Sequence, residues 1–482
     1  MASHASAHDR RYLVDEALSR LLSSDEVGRT LSFAELERLR SVDRSLWYNE
    51  FWGLACTARI KITGDAELRS ILRLAIEAGM ATHVRLIVKD RPAVLRQDLD
   101  LPAVLREGHS FLELALEQQD VNSEVVDALL EAAHAADVVQ RQLQFKTMTG
   151  QSCLMILASG RHPRCHVSNA LLTAAQAAGV LPTLLMVQDD NGNTCLTIAS
   201  DKGHLEVVNA LLEAARAADV LPVLLMIIND EEESSLWIGA CKGRLEVVNA
   251  LLEAARAAGV LPQLLYLHDR DRASCLSESA YHGHLEVTNA LLEAARAAGV
   301  LHKLLLLPTL CFSVRNGHLA VANALIEAAK SVHMLPELLM STEHVYTGKL
   351  HGSHMSATPF LNTTSLWTGA REGHLEVVNA LLEAARAAQV LPALLMHGKA
   401  CSCLCVSVQS GHLDVVKALL GAAHDAGVLS KLLMLPCYDE DTRRWITCLS
   451  MADQIGREDI AQALVAAGAE KTSLSWSDRR AP

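Results

Sequence analysis

The phrase GHLEVVNALLEAARAA begins at Gly203 and again at Gly373, with GRLEVVNALLEAARAA at Gly243 and GHLEVTNALLEAARAA at Gly283. Weaker copies begin at Gly317, Gly411 and Gly456. A leucine stands seven residues before each of these glycines: Leu196, Leu236, Leu276, Leu310, Leu366, Leu404 and Leu449. The separation between copies is not fixed, being 34 residues from Gly283 to Gly317 and 56 from Gly317 to Gly373. A constant phrase at variable intervals means that one supersecondary unit is repeated and that the length changes fall outside it. One such unit cannot enclose its own apolar stripe, so it must stack on its neighbours. A chain of 482 residues, too long for a single core, is then a repeat array rather than a set of unlike domains.

Composition agrees with a helical unit. Hydrophobic residues make up 50% of the chain but aromatics only 4%, the rest being mainly Ala, Leu and Val. Upstream, Leu154 precedes SNALLTAAQAAGVLPTLLM and Leu112 precedes SEVVDALLEAAHAADVV, each needing two extra residues before the second helix. The segment around Leu54, followed by GDAELRSILRLAIEAG from Gly64, reads as a degenerate first unit. The expected organisation is an N-terminal helical segment at 1–48, nine or ten units over 49–471 and a C-terminal tail at 472–482.

The best-preserved copy, DDNGNTCLTIASDKGHLEVVNALLEAARAA from Asp189, shows what each position is for. The Thr194 hydroxyl can cap a first helix, and Gly203 permits the left-handed turn into a second. Leu205, Val208, Leu211, Leu212 and Ala215 fall at helical spacing as one stripe. Thr194, Leu196, Ala199, Gly203, His204, Val207, Val208, Leu211 and Leu212 together resemble the ankyrin repeat, whose pattern is a hairpin loop, TPLHxAA on a short helix and GHxEVVxxLL on a second. The resemblance implies an all-α, ankyrin-type helix-turn-helix repeat solenoid with hairpin loops. Two departures stand out. The family's proline becomes Cys195, Ser235, Cys275, Ser365 or Cys403, and its histidine becomes Thr197, Trp237, Ser277, Trp367 or Cys405, so the loop amides need other partners. After ARAAGV comes LPxLLM, which predicts Gly259 as a C-cap and Pro262 opening an extra turn that lengthens the second helix. Ala466–Ala469 returns to ordinary length and suits a C-terminal cap.

The totals exclude several functions. A net charge of −13, without a block of five Lys or Arg, argues against nucleic acid. Twelve cysteines scattered without a CxxC pair suit small buried side chains in a reducing, cytoplasmic compartment. Residues 1–11 carry no signal-peptide core and no run of 18 apolar residues occurs, so membrane insertion is not expected. No Walker loop, GxSxG, HExxH or kinase signature occurs, so no catalytic residue, cofactor, metal ligand or small-molecule substrate is expected. His204, His284, His318, His374 and His412 recur with the register and are expected to be structural.

A protein partner is the remaining expectation. The second helix repeats almost verbatim, whereas the end of the first helix changes from unit to unit. Asp201 and Lys202, Lys242, Tyr281 and His282, Arg315 and Asn316, Arg371 and Glu372, and Gln409 occupy those places. The resemblance implies that such positions and the hairpin tips line a concave binding surface; ordinary solvated variation is the alternative for any one of them. Trp237 and Trp367 share one register position, where they anchor a partner or fill the space of the missing histidine. The insertion at 341–359 contains His344, His351 and His354, a partial zinc set or simply a mobile loop.

Before the repeats, Thr30–Trp47 resembles an F-box through Leu31, Leu36, Leu39, Val42 and Trp47. That resemblance implies docking on a Skp-type adaptor of a cullin ubiquitin ligase, with the repeats capturing the substrate. It also implies kinship with effectors that intracellular bacteria deliver into the host cytosol. A helical cap of the solenoid would use the same leucines as core.

Overall fold

The computed structural model describes residues 65–470 except 78, 80, 92–93, 96–109, 119–121, 161–164, 308, 345–361, 399–401 and 440–443. The F-box-like residues Leu31, Leu36, Leu39, Val42 and Trp47, with His351 and His354, lie outside the described residues. The chain divides into two compact units, Met1–Asp190 and Asn191–Pro482.

In the first unit the helices Asp65–Glu77 and Ala81–Asp90 precede two three-helix repeats. These are Phe111–Glu117, Ser123–Ala135 and Val139–Leu143, then Cys153–Ser159, Cys165–Ala177 and Leu181–Leu185. Glu113 is fully buried because it closes a capping box: the Ser110 amide donates to its carboxylate at 2.9 Å, and its own amide donates to Ser110 Oγ at 3.3 Å.

The second unit repeats the three-helix pattern, beginning with Cys195–Lys202, Leu205–Ala217 and Leu221–Leu225 and ending on a two-helix unit, Cys448–Gln454 and Glu458–Ala466. The marker leucines Leu196, Leu236, Leu276, Leu310, Leu366 and Leu404 are fully buried. Each is worth about 1.5–3 kcal/mol of transfer free energy before the entropy of ordering is set against it. The second-helix stripe is shifted by one flank from the expected one. Val207, Val208, Leu211, Leu212 and Ala215 are buried, while Leu205 at the helix start stays partly exposed.

The lengthened second helix is corrected to two helices. Every full second helix of this unit stops after 13 residues, at Ala217, Ala257, Ala297, Ser331, Ala387 or Asp425. The chain then turns through a left-handed residue, Gly259, Gly299 and Gly427 but also Asp219, His333 and Gln389, into a short third helix. Pro262 sits in the first turn of that third helix, where a missing N–H costs nothing, and Leu261, Leu264 and Leu265 are buried from it. The final helix, Glu458–Ala466, buries only Ile460 and Leu464. It closes the stack with an outer face left to solvent, as a terminal repeat requires.

Between repeats the chain forms hairpins. Thr342–His344 pairs antiparallel with Asn362–Thr364, and Cys437–Asp439 with Arg444–Ile446. The residues on either side of 345–361 are thus paired in register, Thr342 opposite Thr364. Cys405 and Cys437, both buried, are paired as a disulfide, and Cys448 Sγ lies 3.3 Å from Cys437 Sγ.

Candidate partner-binding face

Six of the first helices are held by the cap foreseen for Thr194. Thr194, Ser234, Ser274, Thr364, Ser402 and Thr447 all accept a hydrogen bond from the amide three residues on. Side chains within the hairpins satisfy the loop amides that the family's histidine would otherwise serve. Asn229 Oδ1 accepts from the amides of Glu231 and Glu233, and Asp269 Oδ1 from that of Ala273 at 2.8 Å. Trp237 fills the histidine's space. It is 8% exposed, and its Nε1–H donates to the Ala273 carbonyl of the next hairpin at 3.0 Å.

The register histidines fasten neighbouring repeats. Nε2 of His284, His318, His374 and His412 lies 3.0 Å from the carbonyl of Cys241, Tyr281, Arg315 and Arg371 respectively. A carbonyl only accepts, so the proton is on Nε2. The other edge of each ring rests on the preceding repeat's glycine. A Cβ built on Gly243, Gly283, Gly317 or Gly373 would come within 2.5–2.8 Å of Nδ1. That glycine is required twice, for its left-handed φ of +67° to +80° and for the ring above it. In the last repeat Arg457 takes the histidine's part, donating from Nη1 to the Gly411 carbonyl at 2.6 Å.

This stacking brings the ends of successive first helices into one row. Asp201 is joined by Lys202 at 3.0 Å and by Lys242 of the next repeat at 3.9 Å. The Tyr281 ring meets Phe312 edge-on at 6.2 Å, and Asn316 Nδ2 donates to the Tyr281 carbonyl at 2.7 Å. Asn316 therefore also has a scaffold role. The Arg315 guanidinium lies over Phe312 at 5.7 Å, and Arg371 lies over Trp367 at 5.8 Å with Glu372 at 3.7 Å. Lys202, Lys242, Tyr281, His282, Asn316, Glu372 and Gln409 are exposed; Asp201, Arg315 and Arg371 are half-buried.

Sequence reasoning missed a cluster in this row. Cys241 ends one first helix, and Glu278 and His282 lie one turn apart on the next. Their ligand atoms all fall within 4.8 Å of one another. Burial, aided by Asp269, Glu233 and Asp271, pushes Glu278 up to about 7. Burial, with the nearby carboxylate of Glu278, raises the Cys241 thiol to about 11, and burial, with His284, Lys242 and His318 around it, lowers His282. The signal was available at 278 itself: at the place two residues after the marker leucine, other repeats carry Ile198, Ile238, Phe312, Thr368, Val406 or Met451.

A family model described as ankyrin repeats (3 copies) matches residues 112–222 and 171–260. Among solved structures, the crystal structure of the ankyrin repeat domain of Bcl-3, a member of the IkappaB protein family, aligns with 22% sequence identity and a TM-score of 0.36, covering 46% of this chain and 85% of that one. The comparison with curated proteins found no match. No catalytic family is indicated, and among the described residues no helix is long and apolar enough to cross a membrane. Residues 112–260 thus match ankyrin repeats, and the described residues form an ankyrin-type helical repeat solenoid in which each full repeat carries a third short helix.

Proposed function

We propose that the chain is a non-enzymatic scaffold that captures a partner protein on the row of first-helix ends and adjoining hairpins. One internal comparison carries the reading. Exposure alone does not diversify this protein: Glu206, Asn209, Glu213 and Arg216 on the second helix are exposed, yet Leu205–Ala217, Leu245–Ala257 and Leu375–Ala387 have identical sequences. The first-helix ends, packed on one another repeat by repeat, change charge, size and aromaticity at each step. A surface free to drift would vary on both sides, whereas a surface that reads a partner varies where it reads. Capture from lysate by the full chain, followed by mass spectrometry, identifies the partner. Its binding is then measured with Arg315→Glu and Arg371→Glu against Glu213→Lys and Glu253→Lys on the second-helix face. Loss with the first pair alone supports the reading; loss with the second pair alone refutes it.

A second reading adds an N-terminal partner. The resemblance of Thr30–Trp47 to an F-box supports a substrate adaptor that recruits the captured protein to a cullin ubiquitin ligase, in a host cytosol if the protein is a bacterial effector. The full chain should bind a purified Skp-type adaptor, and Leu36→Asp with Trp47→Ala should abolish that binding; no adaptor binding by the unsubstituted chain removes this reading.

A further inference from the structure

We propose that Cys241, Glu278 and His282 form a zinc site on the first-helix row, with a water molecule as the fourth ligand. The ligand set is that of a borderline-soft cation: one thiolate, one imidazole and one carboxylate. Tetrahedral zinc, with bonds of about 2.0–2.3 Å, holds its ligand atoms ~3.3–3.8 Å apart. His282 Nε2 and Glu278 Oε2 already stand 3.6 Å apart, one helical turn separating their residues, and the thiol lies within 4.8 Å of both.

Three further observations favour a cation here. Glu278 is a carboxylate, 18% exposed, in a register slot that five other repeats fill with Ile, Phe, Val or Met. Burying an acid there costs stability unless something neutralises it. Its only ion-pairing partner among the described residues is His282, and the charges acting on it, from Asp269, Glu233 and Asp271, are of its own sign. The second point is accessibility: Cys241 is a free cysteine that is not buried, unlike Cys153, Cys195, Cys275, Cys311, Cys403 and Cys448. The third is support. His284 Nε2 bonds the Cys241 carbonyl at 3.0 Å, holding the end of that helix, and its ring stacks 5.9 Å from that of His282. On binding, the Cys241 thiol releases its proton to solvent.

The test uses the full chain, reduced and freed of metal with a chelator, titrated with Co²⁺ and then displaced with Zn²⁺. The expected result is a thiolate-to-cobalt charge-transfer band saturating near one equivalent and abolished by Zn²⁺. Cys241→Ser should remove the band, and His282→Ala and Glu278→Gln should each weaken Co²⁺ binding at least tenfold. Glu278→Ile, which restores the residue of two other repeats, should raise the melting temperature of the metal-free chain and cancel the rise that Zn²⁺ gives the unsubstituted chain. A cobalt band that persists in Cys241→Ser would place the metal on other thiols, such as Cys405, Cys437 and Cys448, and overturn the proposal. So would the absence of any band, or an undiminished Zn²⁺ stabilisation of Glu278→Ile.

Discussion

Substituting Gly373 by Ala tests how one repeat grips the next. Gly373 sits at φ +80°, ψ 18°, and a Cβ there would lie 2.5 Å from both Nδ1 and Cε1 of His412. The backbone cost of a left-handed alanine is about 1–2 kcal/mol, partly offset by the lower entropy of the unfolded chain. Moving the ring also breaks the bond from His412 Nε2 to the Arg371 carbonyl, worth about 1 kcal/mol. Gly373→Ala should therefore destabilise by about 2–3 kcal/mol, and His412→Ala by about 1–2 kcal/mol. In the double variant the ring is already gone and only the backbone cost remains, so the two effects should fall short of additivity by about 1 kcal/mol. Because a repeat array need not unfold in one step, urea denaturation followed by circular dichroism should be paired with amide exchange over Ser365–Asp425. Effects that add to within ~0.5 kcal/mol, or exchange that accelerates no more there than in Cys195–Ala217, would show that glycine and histidine do not act as a pair.

Other substitutions probe the core, the aromatic, the turn and the cap. Leu211, 1% exposed, should cost about 2–5 kcal/mol as Ala, while Asp201→Ala and Lys202→Ala, which break only ion pairs with the exposed Lys202 and Lys242, should leave thermal unfolding nearly unchanged. Trp237→Phe keeps most of the packing but removes the indole bond to the Ala273 carbonyl, which still accepts the Asp269 amide at 3.1 Å; a loss of about 0.5–1.5 kcal/mol in denaturant titration is expected, and none would mean that the bond at 3.0 Å contributes nothing. Gln389→Gly, at φ +59° where other repeats have glycine, should stabilise by about 0.5–1 kcal/mol, and destabilisation would show that its side chain is needed. Arg457 holds the Asp459 carboxyl at about 2 through paired hydrogen bonds of 3.0 and 2.9 Å, so the pair's stabilisation is present above the ordinary carboxylate value of 3.8 and fades as pH falls toward 2. An NMR titration should find that low midpoint and its return toward 3.8 in Arg457→Gln; a midpoint near 4 in the unsubstituted chain would refute it.

Reading the sequence recovers what depends on local pattern and misses what depends on where side chains meet. The cap at Thr194, the turn at Gly203 and the marker leucines each follow from a rule that acts within a few residues, and each stands where the repeat places it. Leu205 was misassigned because helical spacing fixes a stripe only to within one flank; which flank is covered depends on the neighbouring repeat, and here it covers Val207. The turn opened by Pro262 was legible beside Gly259, but not as a separate third helix, because Asp219, His333 and Gln389 take the left-handed turn without the glycine that announces it elsewhere. Cys241, Glu278 and His282 escaped for a more general reason: Cys241 and His282 lie 41 positions apart in a chain whose repeats differ in length, so no motif spacing links them. Stacking makes neighbours of residues at one register position, and a functional group in a solenoid is therefore spelled across repeats. The useful sign is a residue whose chemistry departs from its column, as the carboxylate of Glu278 does among Ile198, Ile238, Phe312, Thr368, Val406 and Met451. The same columnar reading that led us to propose Asp201, Tyr281, Arg315 and Arg371 as a partner-reading row led us to propose Glu278 as a metal ligand.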